Sequence, residues 1–185
     1  MTHLTTERRW IIGLSALGAA NMTAGALKQF GVIRRLPDLP VKGFDSNAVM
    51  SSGPAFVFGI PDTPLAITGL VANIPLALAG GEDRARTRPW IPLSIAAKSV
   101  VEVSVAAWFL WQMRYRLHTW CAYCIAGAFI TAAIAVLNLR ESREALPTRR
   151  ARGIGIGAAT AIAVGTLFAM HTLDERRRAR RRRRK

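Results

Sequence analysis

Two cysteines, Cys121 and Cys124, are the only thiols in 185 residues, and they stand three apart in the stretch "HTWCAYC" that opens a strongly apolar run. Such a pair can be a redox couple, a crosslink or two inert buried thiols. A disulfide between residues so close shuts too short a loop to constrain the chain, which argues against a stabilising crosslink. On a helix the two fall on one face, with Cys121 near the end where unpaired backbone N–H groups favour a thiolate. Arg114, Arg116 and His118 lie just upstream and are candidates for lowering a thiol below its free pKa of about 8.5. Metal chemistry is not expected: the three histidines are scattered at 3, 118 and 171, and no zinc spacing, phosphate-binding glycine loop or Ser/His/Asp set occurs.

The elements that must hold this pair are membrane helices. Hydrophobic residues make up 51% of the chain while the formal net charge is +15, a combination that arises when apolar blocks alternate with basic punctuation. The blocks are Trp10–Ile33, Pro64–Gly80, Ile91–Met113, Trp120–Leu139 and Gly153–Leu173, each near the roughly 20 residues that cross a bilayer as helix. The expected fold is therefore an all-α polytopic membrane helix bundle. Residues 1–140 should form a four-helix transmembrane domain, 141–173 a cytoplasmic linker and fifth helix, and 174–185 a disordered Arg-rich tail. The stretch 34–63, rich in Pro, Gly and Ser, reads as an ordered loop at the membrane surface. The first block resembles a secretory signal behind Arg8 and Arg9, but its length and the four blocks that follow favour a retained helix.

Charge sets the orientation. With the N-terminus inside, ten Lys and Arg fall on the cytoplasmic side and six outside, which places the loop 34–63 and the cysteine pair outside the cytoplasm. The tail "RRRARRRRRK" conflicts with this, because a fifth crossing would export nine more charges. Either the tail is exported, or the Gly-rich fifth block lies along the surface, or the bundle is inverted; agreement among the other loops speaks against inversion. The tail reads as attracted to anionic lipid headgroups, and the lack of interleaved aromatic residues argues against nucleic acid.

A few polar residues interrupt the apolar blocks. Lys98 and Glu102, four apart, should turn inward and pair, as a structural ion pair more readily than as a proton route. Asn73 suits an interhelical hydrogen bond or contact with a ligand oxygen. In "FVFGIPDTP", Gly59 permits close backbone approach and the two prolines set the turn into the second block, while Phe56 and Phe58 could lie as an apolar lid or pack at the interface.

The segment "FDSNAVMSSGPAFVFGIPDTPLAITG", Phe44–Gly69, followed about 50 residues on by "LHTWCAYCIAGAF", resembles the bacterial branch of the vitamin K epoxide reductase family. The resemblance implies a four-helix bundle around a quinone of the menaquinone or ubiquinone type, with Phe56, Phe58 and Asn73 as candidates for its pocket or the loop above it. It implies that Cys121 exchanges disulfides with protein thiols and that Cys124 faces the quinone. Family members carry two loop cysteines in a pattern like C-D-x-N-x-V-x-S-C; here those positions hold Phe44 and Ser52. Neither side chain exchanges thiols, so the internal relay is missing.

The expected function is a membrane thiol:quinone oxidoreductase in a bacterial cell membrane. It would take electrons directly from an extracytoplasmic thioredoxin-fold dithiol protein and so support disulfide formation. The alternative is a non-catalytic scaffold of the same fold that binds anionic lipid or an acidic partner through its tail.

Overall fold

The computed structural model describes residues 4–57, 59–146 and 149–182. Helix α1 (Thr6–Gln29) starts where the Thr5 hydroxyl accepts the Arg8 N–H, an ordinary N-cap. Helix α2 (Ser46–Met50), a 3₁₀ turn at Gly53–Ala55 and a hairpin of β1 (Phe56–Val57) with β2 (Ile60–Pro61) fold the loop. Helix α3 (Asp62–Leu78) follows directly, then the short α4 (Arg84–Thr87) and α5 (Trp90–Gln112). A π-helical turn, Met113–Leu117, leads from α5 to α6 (Ala122–Glu144), and α7 (Arg149–Arg182) closes the chain. Gly59 in the hairpin has φ 85 and open space where a side chain would be. Its role is thus a left-handed turn, and the close backbone approach expected there is absent.

Among the described residues four helices are long and apolar enough to cross a membrane, namely α1, α5 with its π turn, α6 and the Gly153–Arg176 part of α7. Helix α3 is apolar but only 17 residues long, at the lower limit for a span. The protein is an all-α integral membrane helix bundle.

Helix α1 packs against α3 and α6, and α5 against α6 and α7, whereas α3 and α5 touch at few positions. Lipid offers no hydrophobic drive between helices, so close packing relies on small residues. Gly127 on α6 is such a position, since a Cβ there would collide with the Met22 Cε of α1. Ile11, Met22, Leu70, Ala77 and Ile134 form the core between these helices. At the end of the bundle away from the cysteines, Glu141 takes both Arg84 Nε (2.6 Å) and Arg8 Nη2 (3.0 Å). Arg84 also donates to the Leu76 carbonyl at 2.6 Å, so this clamp ties α1, α3 and α6 together.

The C-terminal part differs from expectation in one respect. The chain is helical through Arg182, where a disordered tail was expected from 174; arginine is a strong helix former, and acidic residues precede the run. The fifth block runs as α7 beside α5, as expected of a fifth span, and Asp174 Oδ2 meets Arg116 Nη1 at 3.0 Å. The Arg-rich run therefore leaves the bundle at the same end as the cysteine pair. The linker before α7 is short, with α6 reaching Glu144. Residues 147, 148 and 183–185 lie outside the described residues.

Candidate functional site

Cys121 is the N-cap of α6, and its sulfur accepts the Cys124 N–H at 3.2 Å. Both thiols are free, with Cys121 wholly buried and Cys124 partly exposed. The loop covers Cys121. Phe44 bridges Trp120 as a parallel pair, the Trp120 N–H donates to the Gly43 carbonyl at 2.9 Å and the Asp45 N–H to the Trp120 carbonyl at 3.0 Å. The Ser46 hydroxyl accepts the Ala122 N–H at 3.1 Å, and Asp38 in turn accepts from both the N–H and the hydroxyl of Ser46. The Tyr123 hydroxyl donates to the Pro37 carbonyl at 2.9 Å. Leu36, Val49, Met50 and Met113 pack around Cys121.

A hydrogen bond from the Cys124 thiol and the Cys124 N–H hold the Cys121 thiol below the ordinary range, against the upward push of burial. Of the three residues expected to tune it, the two arginines meet aromatic rings. Arg114 sits over the Tyr115 ring and Arg116 over the Trp111 ring, with Arg116 also paired to Asp174. His118 takes a left-handed conformation, φ 53, at the turn into α6. The influences on the Cys121 thiol are instead hydrogen bonds from Cys124, Ser46 and the Tyr123 N–H, set against burial.

A cavity of about 350 Å³ lies where α3 and α5 separate, with Cys124 in its wall and a lining that is almost wholly apolar. Its few polar groups are Asp62, Thr63, Glu102 and Thr131. Met170 of α7 closes one side. A smaller chamber of about 20 Å³ adjoins it, sharing Asp62, Phe109, Met113 and Cys124 and adding Ser52 and Gln112. Both positions where loop cysteines are missing thus come near the pair, Phe44 through its bridge to Trp120 and Ser52 through the chamber it shares with Cys124.

Lys98 and Glu102 do turn inward, 2.6 Å apart. Lys98 Nζ also donates to the Gly69 carbonyl and to Asn73 Oδ1, each at 2.8 Å, so all three of its protons are used. Glu102 reaches the large cavity, whereas Asn73 gives its oxygen to Lys98, keeps its Nδ2 without a partner and is not among the lining residues. Phe56 stands in the hairpin, also outside the lining, and Phe58 lies outside the described residues. Sequence reasoning passes over Asp62, Gln112, Phe109, Met113 and Met170. Gln112 carries a legible signal as a polar residue deep in an apolar block; Met170 carries none, because a methionine in a lipid-facing helix is unremarkable until its neighbours are known.

The cavity suits a quinone head. Its volume is within the usual range for small-molecule sites, its walls are hydrocarbon, and a thiol and a carboxyl converge at one end. A model of the Vitamin K epoxide reductase family matches residues 9–139, well over half of the chain. No curated protein matches it. The matched region runs from the first turn of α1 to within five residues of the end of α6, while α7 lies beyond it.

Proposed function

The chain belongs to the vitamin K epoxide reductase family, a family of membrane oxidoreductases that use quinones, and we propose that it oxidises an extracytoplasmic thioredoxin-fold dithiol protein and passes the electrons to a quinone of the menaquinone or ubiquinone type. The observation that carries this reading is the division of labour between the two sulfurs. Cys124 lies in the wall of the apolar cavity, and Cys121 sits beside it at the helix start with a lowered pKa.

In the proposed cycle the partner's thiolate attacks Cys121 in the Cys121–Cys124 disulfide, and Cys124 leaves as a thiolate. The second thiol of the partner resolves the mixed disulfide at Cys121 and frees the Cys121 thiolate, and the two thiolates then give up an electron pair into the cavity through Cys124 as the Cys121–Cys124 bond re-forms. A quinone bound there supplies an acceptor for two electrons and two protons. The balance closes: the partner dithiol becomes a disulfide, its electrons and protons end on the hydroquinone, and the Cys121–Cys124 disulfide is restored. Because the loop covers Cys121, exchange requires the segment from Pro37 to Ser46 to move off Trp120. With Phe44 and Ser52 in place of thiols, the partner acts on Cys121 directly. On this reading the cysteine end faces out of the cytoplasm and the Arg-rich end of α7 is exported with it, where anionic headgroups attract it.

Purified protein in lipid should oxidise a dithiol only when quinone is present, and Cys124→Ser should abolish turnover. Wild-type protein that leaves the dithiol reduced in the presence of quinone would end this reading. The full burial of Cys121 favours one rival, a non-catalytic scaffold. A Cys124→Ala variant separates the two: an oxidase accumulates mixed disulfides through Cys121, and a scaffold accumulates none.

A further inference from the structure

Gln112 ends α5 with its carboxamide buried, 1% of the residue being exposed, and neither its Nε2 nor its Oε1 has a hydrogen-bond partner. Ser46 and Tyr123 at the same end are matched, on Asp38 and Pro37, while the Trp108 indole N–H one turn earlier on α5 is also without a partner but lies outside the small chamber. A buried amide left unpaired destabilises a fold, and an apolar residue would be cheaper at a site with only a packing role. The amide stands in the wall of the 20 Å³ chamber, together with Ser52, Asp62 and Cys124. That volume accommodates one water molecule, which needs two to four polar partners. Ser52 spends its proton on the Val49 carbonyl at 2.6 Å, so its oxygen still accepts. Asp62 and Cys124 are also in the wall of the large cavity, so the two spaces meet at those side chains.

The geometry points to a single-water site held by Gln112 and Ser52 against Cys124, which passes protons from the thiol end through the Asp62 carboxyl into the large cavity. The relay rests on the proposed thiol:quinone reaction; the water site does not. Oxidising a dithiol to a disulfide releases two protons with the two electrons, and reducing a quinone consumes both, so a path for protons must accompany the sulfurs. The water takes the proton that the partner's second thiol gives up as it resolves the mixed disulfide at Cys121, and Asp62 hands it on across the shared wall. No proton is gained or lost overall. Gln112 touches neither sulfur chemistry nor quinone and is a positioning residue, holding the water by one donor and one acceptor.

The site is tested first without turnover. The chain has two glutamines, Gln29 and Gln112, so full-length protein labelled with ¹⁵N-glutamine in lipid nanodiscs gives two side-chain amides, assigned by their loss in Gln112→Leu. A cross peak between Gln112 and long-lived water is expected; its absence overturns the site. The relay is tested by dithiol oxidation with quinone across the neutral pH range in H₂O and D₂O. Gln112→Leu should lower kcat about tenfold, enlarge the solvent isotope effect and leave the KM for quinone unchanged, and Gln112→Glu should restore the rate. A Gln112→Leu protein with the turnover and pH profile of the wild type overturns the relay. Inactive wild-type protein instead defeats the thiol:quinone reading, and the cross peak then decides the water site alone.

Discussion

The backbone N–H of Cys124 points at the sulfur of Cys121 from 3.2 Å, so that one cysteine caps the helix on which the other stands. The second cysteine also hydrogen-bonds the first through its thiol, the largest of the influences that lower the Cys121 pKa. The pair is thus unequal before any partner arrives. One sulfur is prepared as a thiolate at the helix end and the other faces apolar space.

Modification of Cys121 by a small thiosulfonate should show this inequality. Only the thiolate reacts, and a lowered pKa populates it at lower pH. The rate in reduced protein should therefore rise through its midpoint below the roughly 8.5 of a free thiol. Cys124→Ala removes the leading cause and should move the midpoint up. Equal midpoints in the two proteins would show that the Cys124 thiol does not set it.

The cap over Cys121 should open more easily when one tie is cut. Tyr123→Phe loses the hydrogen bond to the Pro37 carbonyl, worth about 1 kcal/mol. Thiosulfonate should then reach Cys121 about fivefold faster at saturating pH. An unchanged rate would mean that the covering loop opens elsewhere.

Helix α7, beyond the family match, completes the cavity through Met170. Met170→Ala should raise the KM for quinone about tenfold, the usual effect of removing a few methylenes from an apolar pocket wall, with thiol modification unaltered. An unaltered KM would leave α7 no part in holding the quinone.

Stability at the opposite end rests on Glu141, which faces two arginines, one of them Arg84 with a fully buried side chain. Glu141→Ala strands that charge and should cost about 3 kcal/mol in detergent unfolding. Replacing both partners, with Glu141→Ala and Arg84→Met together, should cost less than Glu141→Ala alone. A double variant weaker than the single one would contradict a clamp whose value lies in pairing.

Much of the bundle is legible in the sequence because membrane helices carry a strong local signal. Block length and hydropathy locate α1, α5, α6 and α7, and a four-residue spacing pairs Lys98 with Glu102. What the sequence leaves open shares a cause, which is that nearness along the chain does not fix direction in space. Arg114 and Arg116 are close to Cys121 in sequence, yet the π turn carries them onto Tyr115 and Trp111. Asn73 makes the interhelical hydrogen bond that its place in an apolar block suggests, its oxygen accepting from Lys98 on α5.

By itself the sequence determined that this is a membrane protein, that its only redox-capable thiols are Cys121 and Cys124, and that the loop lacks thiols at Phe44 and Ser52. These are matters of composition and spacing, which need no partner from elsewhere in the chain. Only the tertiary structure decided that Cys124 and not Cys121 borders the cavity, that Asp62, Gln112 and Met170 gather around it, and that the Arg-rich end of α7 emerges beside the cysteines. Those relations depend on which faces of α3, α5, α6 and α7 meet, and in lipid that choice falls to the fit of small residues and a few buried polar pairs, whose partners lie tens of residues apart.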